Sequence, residues 1–102
     1  MSKTFFPELS DYIAIVCHDA GATNILIPII THLSPKNLNV FVRGPAKNLW
    51  KQTYPKMKFS NSFETAIHKA DKLVSGTGWA SNLEHNARKY ALKNNIYSIA
   101  IL

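Results

Sequence analysis

The chain has 102 residues, 46% of them hydrophobic and 18% charged, which suits one domain with a single core and excludes a disordered segment. No apolar run approaches bilayer-spanning length; the densest, 25–30, is short and contains Pro28. The first residues carry no basic-then-apolar signal pattern and the single cysteine is Cys17, so the sequence reads as a cytoplasmic protein without an internal disulfide.

The net charge of +6 is unevenly spread. No acid lies between Asp19 and Glu64, whereas Lys36, Arg43, Lys47, Lys51, Lys56 and Lys58 all do. Such a surface attracts phosphate-bearing partners, nucleic acid or an anionic membrane. No aromatic interleaving, helix-turn-helix or zinc-ligand spacing accompanies it, so a solvated lysine-rich face is the plainer reading and nucleic acid ranks last among the partners.

Residues 1–10 read as irregular, with Phe5, Phe6 and Pro7 at one edge of the core. The run 12–17 (YIAIVC) is continuously apolar and rich in β-branched residues, the pattern of a strand buried on both faces. A small-residue turn, HDAGATN at 18–24, follows, then an all-round apolar helix over 25–33, which tolerates Pro28 if its first turn begins near Asn24. Residues 34–37 form a turn. The second strand spans 38–43, and Gly44-Pro45 opens a helix with Ala46, Leu49, Trp50 and Tyr54 inward, stopped by Pro55. A short third strand is expected at 57–59. Asn61 with Glu64 has capping-box spacing, and Phe63, Ala66, Ile67 and Ala70 form the next helical stripe. The fourth strand covers 72–75. Ser81 with Glu84 is a second capping box, opening a helix to about Asn94 with Leu83, Ala87, Tyr90 and Ala91 inward and Glu84, Arg88, Lys89 and Lys93 outward. The fifth strand is 96–102.

Strand and helix alternate with short connections and no repeat. This predicts a single α/β domain over 1–102: a doubly wound, mostly parallel five-stranded sheet in the order 3-2-1-4-5, a Rossmann-like or flavodoxin-like three-layer sandwich. That order sets strands one and four side by side, and ligands bind such sheets in the crevice outside their carboxyl ends. Two glycine-containing loops meet there. The first supplies Gly21, Ala22, Thr23 and Asn24, and the second Gly76, Thr77, Gly78, Trp79 and Ser81, as candidate ligand-binding residues. Helix N-termini beyond such loops suit an anion.

The second loop is neither a dinucleotide fingerprint nor a phosphate-binding P-loop, and a tight turn without ligand stands beside the functional reading. Trp79 suits either stacking on a sugar or base or covering the helix start. His18, Asp19 and Glu84 are the candidate catalytic residues. The imidazole of His18 suits an acid, a base or a donor to phosphate. Asp19 fits turn chemistry better and Glu84 capping better. Cys17 reads as a small core residue rather than a nucleophile. His32, His68 and His85 show no metal-ligand spacing, and neither a metal nor a cofactor is expected.

HDAGATN after the first strand, Gly44-Pro45-Ala46 after the second and SGTGWASNLEHNA at 75–87 resemble the N-terminal domain of bacterial polysaccharide-biosynthesis proteins. Those are similar to the hydrolysing UDP-N-acetylglucosamine 2-epimerases and to two-Rossmann-domain glycosyltransferases. The resemblance covers 12–102 and implies work on a UDP-sugar or phosphate ligand, with His18, Asp19, Gly76, Thr77, Gly78 and Glu84 on the rim of an interdomain cleft. In that class the second domain holds most of the nucleotide, so this chain alone is expected to bind weakly and to need a second domain or subunit for epimerase or glycosyltransferase activity. A rival reading is a non-enzymatic module that assembles through the uncovered strand at 96–102, as a homo-oligomer or against a missing partner domain.

Overall fold

The computed structural model describes residues 12–33, 37–68, 70–76 and 82–101. Its elements are β1 (Tyr12–Cys17), α1 (Ala20–Leu33), β2 (Asn37–Val42), α2 (Pro45–Thr53), α3 (Phe63–Ile67), β3 (Lys72–Gly76), α4 (Leu83–Lys93) and β4 (Tyr97–Ile101). All strand pairings are parallel, in the order β2-β1-β3-β4. The sheet is thus α/β and parallel as expected, with four strands rather than five.

The missing strand has a physical reason. Segment 57–60 runs beside β2 but makes only one ladder-type bond to it, from Ser60 N–H to the Val40 carbonyl at 2.8 Å. Met57 and Phe59 are held by packing into the core instead. The other four strands keep the expected order, so β1 and β3 are neighbours at the centre of the sheet, in register from Ile13 opposite Lys72 to Val16 opposite Ser75.

Alternation along β1 divides the core in two. Ile13, Ile15 and Cys17 face Leu26 and Ile30 of α1 and Ala46 and Trp50 of α2. Ala14 and Val16 face Ala66 and Ile67 of α3 and Ala87 and Ala91 of α4. Helices therefore cover both faces, and β1 is buried from Ile13 to Cys17 because each face has its own partner layer. On one face Trp50 is fully buried and stacks on Tyr54 with ring centroids 5.8 Å apart, while a hydroxyl–hydroxyl bond joins Tyr54 to Thr31 of α1.

Several helix boundaries differ from the sequence reading. Helix α1 starts at Ala20, not near Asn24, because Asp19 caps it: Asp19 Oδ2 accepts from Ala22 N–H at 3.3 Å and the Asp19 carbonyl from Thr23 N–H at 3.2 Å. Gly21 to Asn24 are thus helical rather than a loop. Pro28 lies well inside the helix and is exposed, and the carbonyl it leaves unpaired belongs to the exposed Asn24. Helix α3 is capped by Ser62, whose hydroxyl accepts from Thr65 N–H at 3.1 Å, rather than by Asn61, and it ends before Ala70. On α4, Glu84 is fully buried and Arg88 half-buried, so both turn toward the sheet. The outward reading of these two residues is corrected. Among the described residues no helix is long and apolar enough to cross a membrane.

Candidate functional site

The carboxyl ends of β1 and β3, the start of α1 and the first turn of α4 converge on one polar cluster. Glu84 reaches from α4 across the end of β3 to β1, and its Oε2 accepts from the His18 backbone N–H at 3.3 Å. Its other oxygen, Oε1, is buried and has no hydrogen-bond partner among the described residues. A buried acceptor left unpaired costs roughly 1–3 kcal/mol, more for a charged group, and a ligand donor would relieve that cost.

The two remaining sides of the cluster come from α1 and α4. Thr23 is fully buried, and its hydroxyl is set against the Cys17 thiol. Arg88 does not pair with Glu84; its Nη1 donates to the Gly76 carbonyl at 2.7 Å and to Ser75 Oγ at 3.1 Å. That double hold fixes the end of β3 and leaves the carboxyl group of Glu84 without a cationic neighbour in hydrogen-bond contact. The amphipathic pattern alone sends Arg88 outward, yet the sequence does carry a signal. Glu84, Ala87, Arg88 and Ala91 lie at i, i+3, i+4 and i+7, and the two alanines let this stripe approach the sheet closely.

Two glycines are fixed by close approach. A β-carbon on Gly76 would collide with Glu84 Oε2 and stand 2.7 Å from the Ala22 β-carbon. Gly44, at φ 60°, precedes α2, and a β-carbon there would stand 2.7 Å from His18 Nε2. The half-buried imidazole of His18 thus lies against Gly44 at the end of β2, while its carbonyl accepts from Ala46 N–H at 3.2 Å.

The structure therefore brings together His18, Asp19, Ala22, Thr23, Gly76 and Glu84 from the residues singled out in the sequence. Gly21 and Asn24 are exposed on α1 beside them. Thr77, Gly78, Trp79 and Ser81 lie outside the described residues. At the N-terminus of α1, Asp19 takes up the amide of Ala22 with its side chain and that of Thr23 with its carbonyl. Asp19 thereby takes the structural role that turn chemistry suggested.

Cys17 lies under the cluster, and its thiol is pushed up to about 12, first by burial and then by the negative charge of Glu84. The Gly76 backbone and the nearby Thr23 hydroxyl act the other way and are outweighed. A thiol so held is not a nucleophile at neutral pH. It also links stability to pH. The unfolded thiol ionises from about pH 9 and the folded one only near 12, so the folded state is penalised as pH rises between them. Urea titrations of the wild type and Cys17→Ala should run parallel below pH 9 and diverge above it, the wild type losing about 1.4 kcal/mol more per pH unit.

Fold and site together define an α/β protein with a parallel sheet and a buried polar cluster where its strand order reverses. No family model matches the chain, and no curated protein and no solved structure does so either.

Proposed function

We propose that the chain is a Rossmann-like ligand-binding domain that takes the sugar portion of a nucleotide-sugar ligand at the β1–β3 crevice. The kinship suggested by its turn motifs is with the N-terminal domain of polysaccharide-biosynthesis proteins. The observation that carries the reading is Glu84 Oε1, a buried acceptor with no partner among the described residues, beside His18 at the switch point of the sheet. Sugar hydroxyls are donors that satisfy such an acceptor, and Thr23 Oγ1 offers a second polar atom nearby.

Phosphate is the weaker anchor in this reading. The Ala22 amide already serves Asp19, Arg88 is engaged with Ser75 and Gly76, and the Glu84 carboxyl group repels an anion. His18 lies at the margin of the cluster, where it supplies a hydrogen bond or a proton to the ligand. Catalysis, of the epimerase or glycosyltransferase kind, belongs to a cleft completed by a second domain or subunit.

The test is an amide NMR titration with N-acetylglucosamine, UDP-N-acetylglucosamine, UDP and inorganic phosphate. Both sugar-bearing ligands should shift the amides of His18, Ala22, Thr23, Gly76 and Glu84, and phosphate alone should not. Shifts from UDP and phosphate without any from N-acetylglucosamine would reverse the assignment.

A second reading, an assembly module, is favoured by β4. It is the last strand in the sheet order, next to β3 among the described residues, and Tyr97 on it is 47% exposed. The tumbling time measured in the same NMR samples separates the two, since assembly without ligand shifts supports this reading alone.

A further inference from the structure

The β2 side of the molecule carries a second feature, independent of the crevice. Helix α2 buries Ala46 and Trp50 against the sheet and exposes Lys47 and Lys51, one turn apart. In the segment that follows, Met57 and Phe59 pack into the core while Lys56 and Lys58 are exposed. The single bond from Ser60 to Val40 holds this segment beside β2. Lys47 and Lys51 on α2 and Lys56 and Lys58 in the segment beside β2 are thus all exposed, and none has an ion-pair partner among the described residues. The sequence from 20 to 63 contains no acid to neutralise them.

We propose that this lysine face binds the phosphate backbone of duplex nucleic acid without reading its sequence. Unneutralised lysines release condensed counterions when they meet phosphates, which supplies affinity without base contacts. A single strand is the poorer fit because no aromatic ring is offered for stacking: Trp50 is buried and Tyr54 is stacked on it. An anionic bilayer is also the poorer fit. Surface-bound helices insert large apolar side chains, and the large exposed apolar residues among the described ones, Tyr12, Ile25, Leu92 and Tyr97, all lie on other elements. Asn48 and Gln52, each exposed and next in sequence to a lysine of α2, add neutral hydrogen-bonding groups for the sugar–phosphate edge.

The experiment is fluorescence anisotropy with a labelled mixed-sequence DNA duplex, repeated over a range of salt concentrations. Four phosphate contacts give a log–log slope of about −3.6, and K47Q/K51Q should reduce its magnitude by about two. The control K89Q/K93Q removes the same charge from exposed positions on α4 and should leave most of the slope in place. Circular dichroism of each variant confirms the fold. Absence of duplex binding at low salt would overturn the proposal. So would equal weakening by the two double variants, which would mark an effect of net charge alone. Binding to phosphatidylserine vesicles but not to the duplex, lost in K47Q/K51Q, would reassign the face to a membrane.

Discussion

Trp50→Ala is expected to destabilise the protein by about 3–5 kcal/mol, as removal of a buried aromatic typically does. The side chain is fully buried between α2 and the β1–β2 half of the sheet, and it supports Tyr54, which in turn bonds Thr31 on α1. Its removal therefore opens a cavity and loosens the contact between α1 and α2. Small domains have only about 5–15 kcal/mol in total, so much of the folded population is at risk. Trp50→Phe should cost far less than its lost volume implies, because the indole Nε1 is buried without a partner among the described residues and its removal relieves that penalty. Urea unfolding at neutral pH measures both. A loss below about 1 kcal/mol for Trp50→Ala would mean that this face does not depend on it.

Gly76→Ala carries the second large effect, and it joins stability to the site. The new methyl would collide with Glu84 Oε2 and meet the Ala22 β-carbon at 2.7 Å, and neither can swing away freely. Ala22 has no rotatable side chain, and Glu84 is enclosed. Overpacking of this kind costs about 1–3 kcal/mol. The least costly relaxation moves the Glu84 carboxyl group off the His18 amide, so the crevice loses its acceptor as the fold weakens. Ala22→Gly in the Gly76→Ala background should recover part of the stability, giving a coupling energy of at least about 0.5 kcal/mol in a double-mutant cycle. Simple additivity would show that the two residues do not crowd each other.

The sheet was legible because its strands declare themselves locally. The run 12–17 and the apolar segments 72–75 and 96–102 are short and bounded by turns, as buried parallel strands are. Chain order then supplied the β2-β1-β3-β4 arrangement. Segment 57–59 misleads because alternation of Lys with Met and Phe also describes a strap that packs on the core without a hydrogen-bond ladder. The start of α1 is obscured by Gly21, Ala22 and Thr23, small residues that read equally well as a turn. Asp19 decides the matter, and its capping bonds appear only in three dimensions.

Within the site, proximity of the β1 and β3 ends followed from topology. The orientation of Glu84 did not. A glutamate three residues after a serine reads first as a capping-box partner, yet its side chain spans to His18 because Gly76 and Ala22 leave room for it. The role of Arg88 was hidden for the same reason: charged residues on an amphipathic helix are assigned to solvent unless a buried acceptor, here the Gly76 carbonyl, is known to wait beneath them.

The most direct test of Glu84 as the ligand acceptor is the amide titration with UDP-N-acetylglucosamine and N-acetylglucosamine, run in parallel on the wild type and Glu84→Gln. The substituted amide keeps the size of the side chain and can still accept from His18, so the fold should persist and even gain stability as an unpaired buried acid is removed. The wild type should show saturable shifts confined to His18, Ala22, Thr23, Gly76 and Glu84, and the variant should bind about 10–100-fold more weakly, the loss expected for a hydrogen bond to a charged group. Equal binding by both proteins, or shifts that map away from the β1–β3 crevice, would contradict the account.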